Sequence, residues 1–547
     1  MAEDDGGWRE VSWAEAGSTV DELANGLLAL GVRKGDAFAI LARTTLEWAL
    51  FDFALALVGA VAAPIYSNSS ARDCGYILEH SEAIGVLAED EEQLAKIDPD
   101  GNARLEHVLS YADLPALRER GRAFAATNPG ALDAACTAIT EDDVYTYIYT
   151  SGTTGPPKAC MITHRNYYAM TAKSDELDTH YEPDDLLLLY LPLAHNFGRL
   201  VHLSGAHVGY TIAFLSDPLR VREALLEVRP TLLPSVPRVF EKIHSAVLAQ
   251  FDEVHGARRR LIDWALTVGT KVSRLRQAKQ PVPPALALRH RLAKKLVYDK
   301  VKARLGGRLR LANSGGAPLA REIAEFFHAL DILIVEGYGL SECTTAVSVN
   351  LQDDYRFGTV GKPLPGIEVK IADDGEILVR SPDTIFAGYY KNEQATREIL
   401  SDDGWLSTGD IGAFDTDGFL TITDRKKDII VTAGGKNVAP QNLENELKTA
   451  KVVSQALVVG DRKPYIAALI TLDPETTQGM SGEEQRAAVE EAVAAVNRDR
   501  SSYEQIKRFE ILPRDFSMEE NEITVTLKLR RKVCAEHFAD ELAALYA

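Results

Sequence analysis

The feature that most constrains the fold is an alternation of short apolar runs with helix-like stretches in the first part of the chain. The apolar runs lie at 37–41, 85–88, 144–149, 186–191, 212–215, 232–236, 309–313 and 332–336. Strands that alternate with helices are typical of α/β layers. Several of these runs end in glycine or serine loops, and open α/β sheets bind their ligands at such strand ends.

One apolar run, WALFDFALALVGAVAAPIY at residues 48–66, reaches the length of a membrane span. It contains Asp52 and Gly59, and Pro64 stands near its end. A charged residue inside a span is costly. We therefore expect a buried helix that leads into a strand.

After residue 358 the pattern changes to short alternating strands with turns at DDG and TDG. We expect a β-rich subdomain over about 358–424 and a domain boundary at 424–427. The sequence thus predicts an α/β fold with a large N-terminal domain (1–424) of α/β subdomains plus the β-rich subdomain. A small α+β C-terminal domain (425–547) follows.

Residues 257–310, here called the basic segment, carry sixteen Lys and Arg residues and only two acids. A proline-rich break at 280–284 divides the segment. Two interpretations stay open. One is a pair of solvated amphipathic helices. The other is a basic face that meets an anionic membrane surface or the entrance of an acyl-chain tunnel.

The whole chain has a net charge of −20, which argues against a nucleic-acid-binding protein. Its five cysteines form no C-x-x-C pair, as expected for reduced thiols rather than a disulfide framework or a zinc site. The N-terminal MAEDDGGWRE lacks the basic and apolar regions of a secretion signal. We expect a cytoplasmic protein, with peripheral contact to the inner face of the membrane if the basic segment binds lipid.

The glycine-rich loop YTSGTTGPPKAC, residues 149–160, differs from a Walker A loop. A Walker lysine follows the last glycine directly and precedes a hydroxyl. Here two prolines separate Gly155 from Lys158, and Ala159 follows the lysine. Loop amides, hydroxyls and an ammonium can still bind anions. We expect the β- and γ-phosphates of a nucleotide to contact Thr150, Ser151, Gly152, Thr153, Thr154, Gly155 and Lys158; a flexible surface loop is the alternative.

Five further motifs follow in order: NSGGAPL (313–319), EGYGLSE (336–342), STGD (407–410), DRKKDIIVTAGGKN (424–437) and TVTLKLRRK (524–532). Together with the glycine-rich loop they resemble the adenylate-forming superfamily of acyl-CoA synthetases, adenylation domains and luciferases, over essentially the whole chain. LPLAHNFGR (191–199), GYGLSE (337–342), GYYKN (388–392) and the basic segment resemble its long-chain fatty acyl-CoA ligases. The resemblance implies two half-reactions: a carboxylate attacks the α-phosphate of ATP to give an acyl-adenylate and pyrophosphate, and coenzyme A then takes the acyl group.

The resemblance also implies roles for individual residues around the nucleotide. Thr150 and Glu342 would bind Mg²⁺, which needs few protein oxygens when it bridges phosphates. Asp410 would accept both ribose hydroxyls, and Arg425 would also contact the ribose. Tyr338 would stack on the adenine. The remaining nucleotide-binding positions are Gly315, Gly316, Ala317, Pro318, Gly337, Gly339 and Ser341.

For three of these residues a structural interpretation stays open. Glu342 is also explained as an acid that begins a helix after Ser341. Tyr338 is also explained as a core tyrosine. Arg425 is also explained as a salt-bridged surface arginine.

The resemblance assigns catalysis to Lys528, whose ammonium would lie between the attacking carboxylate and the α-phosphate and lower their repulsion. Because this lysine lies in the C-terminal domain, that domain would be mobile, with its hinge at Lys427. Gly434, Gly435 and Lys436 would form part of the coenzyme A side. His195, Asn196 and Phe197 would line the acyl pocket, although His195 is also explained as a core histidine.

The expected partners are a fatty acid, ATP, Mg²⁺ and coenzyme A. One alternative is an enzyme that adenylates another acid and loads it onto coenzyme A or a carrier protein. A second is a catalytically silent protein that binds lipid or a membrane surface. An oligomer is compatible with the sequence but unsupported by it. Ala159 and Cys160 depart from the Gly-Val that often follows the loop lysine in the superfamily.

Overall fold

The computed structural model describes residues 1–4, 7–99, 101–150, 156–177, 181–498, 500–524 and 529–547. Its first part alternates strands and helices as predicted. These elements are β1 (Ala2–Asp4), β2 (Gly7–Arg9), α1 (Trp13–Leu30), β3 (Ala37–Ala42), α2 (Leu46–Leu57), β4 (Val61–Tyr66), α3 (Ala71–Ser81), β5 (Gly85–Ala88), α4 (Glu91–Leu94), β6 (His107–Ser110), α5 (Leu114–Thr127), α6 (Ala131–Thr137), β7 (Val144–Thr150) and β8 (Lys158–Thr163).

The first α/β layer is a six-stranded sheet in the order β6-β5-β3-β4-β7-β8. Its strands are parallel except β8, which returns antiparallel to β7. The glycine-rich loop is therefore the connection between β7 and β8. It begins where β7 ends, at the carboxyl edge of the parallel strands.

The middle of the chain forms a second α/β layer. Its elements are α7 (His164–Ala172), β9 (Leu186–Leu189), α8 (Asn196–Val208), β10 (Thr211–Phe214), α9 (Val221–Val228), β11 (Leu232–Ser235), α10 (Pro237–Asp252), α11 (Gly256–Gln277), α12 (Pro284–Ala293), α13 (Asp299–Ala303), β12 (Leu311–Ser314), α14 (Arg321–Ala329), β13 (Leu333–Tyr338), β14 (Ser348–Val349) and β15 (Lys362–Pro363). They build a nine-stranded sheet in the order β15-β14-β13-β12-β11-β9-β10-β1-β2.

The remaining elements belong to smaller sheets. They are β16 (Glu368–Ile371), β17 (Glu376–Arg380), α15 (Glu393–Ile399), β18 (Leu406–Phe414), β19 (Leu420–Arg425), β20 (Ile430–Val431), β21 (Asn437–Val438), α16 (Pro440–Leu447), β22 (Val453–Val459), β23 (Ile466–Leu472), α17 (Gly482–Asn497), β24 (Ile506–Ile511), α18 (Arg531–His537) and α19 (Ala539–Leu545). Strands β16 to β19 form an antiparallel sheet, β20 pairs with β21, and β22 to β24 form a third sheet.

The apolar run at 48–66 is a buried helix, α2, followed by strand β4, as predicted. Asp52 is fully buried in α2, and its carboxylate forms an ion pair with the equally buried Arg199 of α8. Arg199 also donates to Thr146 Oγ1 at 2.7 Å. Tyr145 completes the set by donating to Asp52 Oδ2 at 3.1 Å. No helix among the described residues is long and apolar enough to cross a bilayer.

The basic segment contains the predicted pair of helices, α11 and α12, followed by the short α13. Some of its cations face inward. Arg276, Lys294 and Lys302 surround Asp331, at 2.9, 2.8 and 3.6 Å. Although burial opposes this, these cations hold the pKa of Asp331 well below its usual value. The paired cations therefore fasten the basic segment to the second α/β layer.

The residues from Ile430 onward bury their apolar side chains in clusters of their own. They contact the second layer through α10. Arg238 donates to the Ser454 carbonyl at 2.7 Å, and Lys448 lies 3.2 Å from Glu241. Lys451 also pairs with Asp252. The division of the chain at 424–427 stays a prediction.

Candidate functional site

The two ends of the glycine-rich loop lie side by side. Thr150 ends β7 and pairs in register with Lys158, the first residue of β8. The Thr150 hydroxyl lies 3.4 Å from the Lys158 carbonyl oxygen, to which it donates. The predicted phosphate-binding residues Ser151, Gly152, Thr153, Thr154 and Gly155 lie outside the described residues. The flanks of the loop nevertheless place one hydroxyl and one ammonium at the carboxyl edge of the first sheet.

The two residues after the loop lysine are core residues. Ala159 and Cys160 are both fully buried. The Ala159 carbonyl accepts a hydrogen bond from the Tyr390 amide at 2.9 Å, and Cys160 forms a bridge with Tyr389. The position that carries a magnesium hydroxyl in a Walker loop therefore belongs to a packed interior here.

Glu342 lies close to this loop. It sits in a short 3₁₀ turn, Ser341–Cys343, that follows β13. Its Oε1 accepts a hydrogen bond from the Tyr389 hydroxyl at 2.6 Å. The Lys158 ammonium lies 4.9 Å from the centre of the same tyrosine ring. The predicted magnesium carboxylate and the loop lysine are therefore neighbours through Tyr389.

The buried Cys160 thiol responds to the charges near the loop. Burial, followed by the nearby charge of Glu342, raises the pKa of this thiol well above its usual value. A hydrogen bond with Thr150 and the charge of Lys158 oppose that rise.

The segment 315–318, predicted to pass close to adenine, connects β12 with α14. A Cβ added to Gly315 would lie 3.3 Å from Cε1 of Phe197, a predicted acyl-pocket residue. The adjoining Leu319 amide donates to Glu336 Oε2 at 3.0 Å. The structure therefore brings the predicted adenine segment against the predicted acyl pocket on one side and β13 on the other.

The turn after β13 admits only glycine at residue 339. A Cβ there would lie 1.3 Å from the carbonyl oxygen of Thr345. Gly337 is less crowded, because its nearest atom would be 3.5 Å away. This close backbone approach fixes the path of the segment that carries both Tyr338 and Glu342.

Tyr338, Asp410 and Arg425 form a connected group. The Tyr338 hydroxyl donates to Asp410 Oδ2 at 2.7 Å, and Arg425 Nε lies 3.1 Å from Asp410 Oδ1. Asp410 and Arg425 are register partners on β18 and β19, which explains their contact. Tyr338 and Asp410 are buried, whereas the Arg425 side chain is 46% exposed. Both structural interpretations apply in part, because Tyr338 is in the core and Arg425 is salt-bridged to Asp410.

The predicted hinge residue Lys427 lies near this group. Burial lowers its pKa first, and the charges of Arg425 and Lys158 lower it further, against Asp410 and Asp428.

The predicted coenzyme A residues lie in the turn between β20 and β21. Gly434, Gly435 and Lys436 are exposed, and the Lys436 ammonium is 5.8 Å from the Tyr503 ring. Lys528 lies outside the described residues. Ile523 and Leu529, which precede and follow it in the chain, form an isolated antiparallel β-bridge. The preceding Met518 sulfur accepts from the Asn68 side chain at 3.3 Å, so this part of the chain touches the loop after β4.

The three predicted acyl-pocket residues begin α8. His195 is the N-cap, because its Nδ1 accepts from the Phe197 amide at 3.1 Å. Asn196 connects α8 to the Glu342 turn. Its Oδ1 accepts from the Tyr167 hydroxyl at 2.5 Å, and its amide group donates to the Ser341 carbonyl at 3.4 Å.

The sequence motifs did not identify two residues of the site. Tyr389 belongs to the motif GYYKN, but nothing in that motif predicts a contact with Glu342. Glu336 interrupts the apolar run LIVEGY, and an acid in such a run is the signal that could have drawn attention to it. Burial raises the pKa of Glu336 to about 7, against two backbone hydrogen bonds.

No cluster of three or more His, Cys, Asp or Glu side chains within the described ranges could hold a metal ion. The arrangement suits a nucleotide whose base and ribose lie near Tyr338 and Asp410 and whose phosphates lie near Lys158.

Comparisons with known proteins agree with this arrangement. The profile of the AMP-binding enzymes matches residues 2–390, and that of their C-terminal domain matches residues 427–547. The chain is 41% identical to the long-chain-fatty-acid–CoA ligase FadD15 of Mycobacterium tuberculosis, over 99% of this chain and 93% of that protein.

Two solved structures share the fold at low sequence identity. The adenylation domain of a carboxylate reductase from Mycobacterium chelonae aligns with a TM-score of 0.78 at 23% identity, over 99% of this chain and 85% of that one. The anthranilate CoA ligase AuaEII in complex with anthranoyl-AMP aligns with a TM-score of 0.75 at 21% identity, over 98% and 93%. The predicted fold class is confirmed. This protein belongs to the AMP-binding enzyme family, among the long-chain-fatty-acid–CoA ligases.

Proposed function

We propose that this protein activates a long-chain fatty acid with ATP, through an acyl-adenylate, and then transfers the acyl group to coenzyme A. AMP and pyrophosphate are the other products. The 41% identity to a long-chain-fatty-acid–CoA ligase over nearly the whole chain carries this proposal. The pairing of Thr150 with Lys158, and the contacts of Tyr389 with both Lys158 and Glu342, support it.

The adenosine would be bound by the connected group of Tyr338, Asp410 and Arg425. An ionised carboxylate offers about four lone-pair positions, so Asp410 can keep its two protein contacts and still accept from ribose hydroxyls. Gly315, Gly316, Ala317 and Pro318 would leave room for the adenine. Tyr338 would contact it with its ring while its hydroxyl holds Asp410.

Mg²⁺ would be held by the Thr150 hydroxyl and the Glu342 carboxylate, together with phosphate oxygens and water. Both side chains offer the hard oxygen ligands that this ion prefers, and two protein ligands suffice for it. When bound, the ion would offset negative charge on the phosphates. Lys158 and the amides of the glycine-rich loop would add further positive charge where pyrophosphate leaves.

Lys528 would act at the α-phosphate, between two anions that repel each other. Its replacement tests this role, because the two half-reactions can be assayed apart. We expect Lys528→Ala to lose adenylation while transfer from preformed acyl-adenylate to coenzyme A largely survives. Full adenylation by Lys528→Ala would contradict the assignment. The rotation of the C-terminal part about Lys427, which would bring the 434–436 turn to the thioester site, belongs to the same proposal.

The overall activity is tested by pyrophosphate release with acids from C2 to C20 and aromatic acids, each with ATP and Mg²⁺. We expect release with long-chain fatty acids and acyl-CoA formation when coenzyme A is added. Release only with other acids would favour the alternative acid-adenylating enzyme. If acyl transfer then required a carrier protein, that protein would be the acceptor of the acyl group. Absence of release with every acid would favour the catalytically silent lipid-binding protein.

Peripheral contact with an anionic membrane through the basic segment is also proposed. On α12, Leu288 and Leu292 are one turn apart and 69% and 51% exposed. Arg289, Arg291 and Lys295 flank them and are exposed. No ion pair joins any of these three to a carboxylate within the described part of the chain. Exposed leucines between cations suit a negatively charged bilayer, which the rest of this acidic protein would repel.

Vesicle co-sedimentation tests this contact. Leu288→Ser with Leu292→Ser should weaken binding to phosphatidylglycerol-containing vesicles at least tenfold, since burial of one leucine is worth about 1.5–3 kcal/mol. Leu219→Ser with Leu226→Ser is the matched control, because those leucines are also exposed but Arg220 beside them is paired with acids. Equal losses in both double variants would contradict the proposal.

A further inference from the structure

Tyr389 connects the two charged groups on the phosphate side of the site. Its hydroxyl is 2.6 Å from Glu342 Oε1, and the centre of its ring is 4.9 Å from the Lys158 ammonium. The residue is only 7% exposed. It therefore contacts a carboxylate with its polar end and a cation with its face.

The surroundings hold this tyrosine in one position. Its amide donates to the Thr396 hydroxyl at 2.9 Å, and its ring packs edge-on against Phe386 at 5.0 Å. The Phe386 amide in turn donates to the Glu342 carbonyl at 2.9 Å. Segment 386–390 is also bonded to β8 through the Met161 amide and the Ala387 amide. The backbone of Glu342 and the strand that carries Lys158 are thus fastened to the same short segment.

The hydrogen bond to Glu342 leaves one carboxylate oxygen for a ligand. Within the described residues no hydrogen bond or ion pair reaches Oε2. A tyrosine hydroxyl is protonated at physiological pH, so the Tyr389 phenol donates its hydrogen to Glu342 Oε1. A donor on one oxygen fixes the plane of the carboxylate and directs the other oxygen to a metal.

We propose that Tyr389 is the positioning residue of the phosphate side: its hydroxyl orients Glu342 for a divalent cation, and its ring holds the Lys158 ammonium beside that cation. The inference rests on the proposed role of Glu342. It adds a residue that binds neither metal nor nucleotide itself but sets the geometry of both charges. A phenol that donates to a metal-binding carboxylate belongs to the outer-shell contacts whose loss costs about 10- to 100-fold in metal affinity or activity.

Tyr389→Phe removes the hydroxyl and keeps the ring. We expect the Mg²⁺ concentration for half-maximal adenylation to rise about tenfold, with the maximal rate largely recovered at saturating Mg²⁺. Calorimetric titration of the protein with a non-hydrolysable ATP analogue, at several Mg²⁺ concentrations, should show the same shift without any turnover. Tyr389→Leu also removes the ring, and it should additionally raise the KM for pyrophosphate in the reverse reaction, because Lys158 loses its support.

Tyr390→Phe is the matched control. Its hydroxyl lies 3.4 Å from Glu82 Oε2, and its ring stacks on Tyr147 at 4.5 Å, so it is a neighbouring tyrosine without a contact to Glu342. The Mg²⁺ requirement of Tyr390→Phe should equal that of the unaltered protein. An equal shift in both variants, or no shift in a folded Tyr389→Phe, would overturn the proposal.

A double substitution separates positioning from packing. In a Glu342→Gln background the carboxylate is already absent, so Tyr389→Phe should then change the Mg²⁺ dependence of analogue binding by less than twofold. A full tenfold change in that background would refute a role through Glu342. Failure of the unaltered protein to release pyrophosphate with any acid would instead refute the proposed function, and the binding titrations would still test Tyr389.

Discussion

Glu336 should make the stability of the N-terminal part depend on pH. Burial raises its pKa from 4.5 to about 7. The folded state therefore binds the proton more tightly than the unfolded chain does. This carboxyl contributes stability that is fully present below about pH 4.5 and is lost as the pH rises to about 7. At 1.36 kcal/mol per pH unit, the loss amounts to about 3 kcal/mol.

Glu336→Gln should remove this dependence. The glutamine keeps an oxygen that accepts from the Leu319 amide, but it cannot ionise. In the variant, the side-chain NH₂ group takes the place of Oε1, which has no hydrogen-bond partner among the described residues. Burying that group without a partner lowers the free energy of unfolding by an amount that does not depend on pH. The free energy of unfolding of the variant, relative to that of the unaltered protein, should rise by about 3 kcal/mol between pH 4.5 and pH 7.5, whatever the size of that constant cost.

Urea unfolding followed by tryptophan fluorescence measures this difference. All five tryptophans precede residue 425, so the signal reports the N-terminal part alone: Trp8, Trp13, Trp48, Trp264 and Trp405. The free energy of unfolding is extrapolated at each pH for both proteins. Glu322→Gln, on the exposed surface of α14, is the control for the loss of one carboxylate. Parallel pH curves for Glu336→Gln and the unaltered protein would refute the reasoning.

Three further predictions concern buried contacts. Arg199→Leu should lower the free energy of unfolding by about 3–5 kcal/mol in the same urea assay, because it leaves the Asp52 charge buried without its cationic partner, and Asp52→Leu added to it should recover most of the loss. Gly339→Ala should fail to give folded protein on size-exclusion chromatography, since its methyl group would overlap a neighbouring carbonyl oxygen. Lys448→Glu should speed limited proteolysis between 425 and 430, because it places a like charge beside the buried Glu241 and loosens the contact with α10.

The sequence predicted the α/β layers well because each strand there is a short apolar run flanked by helix periodicity. It also predicted α2 correctly, since a helix can bury one acid when a cation from another element reaches it. The residue that does so, Arg199, lies 147 positions away in the chain, and no local pattern could pair the two.

The candidate site was predictable only where its residues belong to motifs. Asp410 and Arg425 belong to two such motifs, and the pairing of β18 with β19 brings them together. Tyr389 contacts Glu342 across 47 positions through a hydrogen bond that depends on tertiary packing. Asn196 was predicted to line the acyl pocket, which stays a prediction; the structure adds that its side chain bonds to Tyr167 and Ser341.

The strand that follows the glycine-rich loop has a consequence for how tightly pyrophosphate is held. In a Walker loop a helix begins at this point, and its N-terminal amides and dipole attract phosphate. Here Lys158 opens β8, and a strand has no comparable dipole. The attraction must come from side chains, loop amides and a soluble cation. At the proposed site, part of that charge would depart with the product, so pyrophosphate would be released more readily than from a Walker loop.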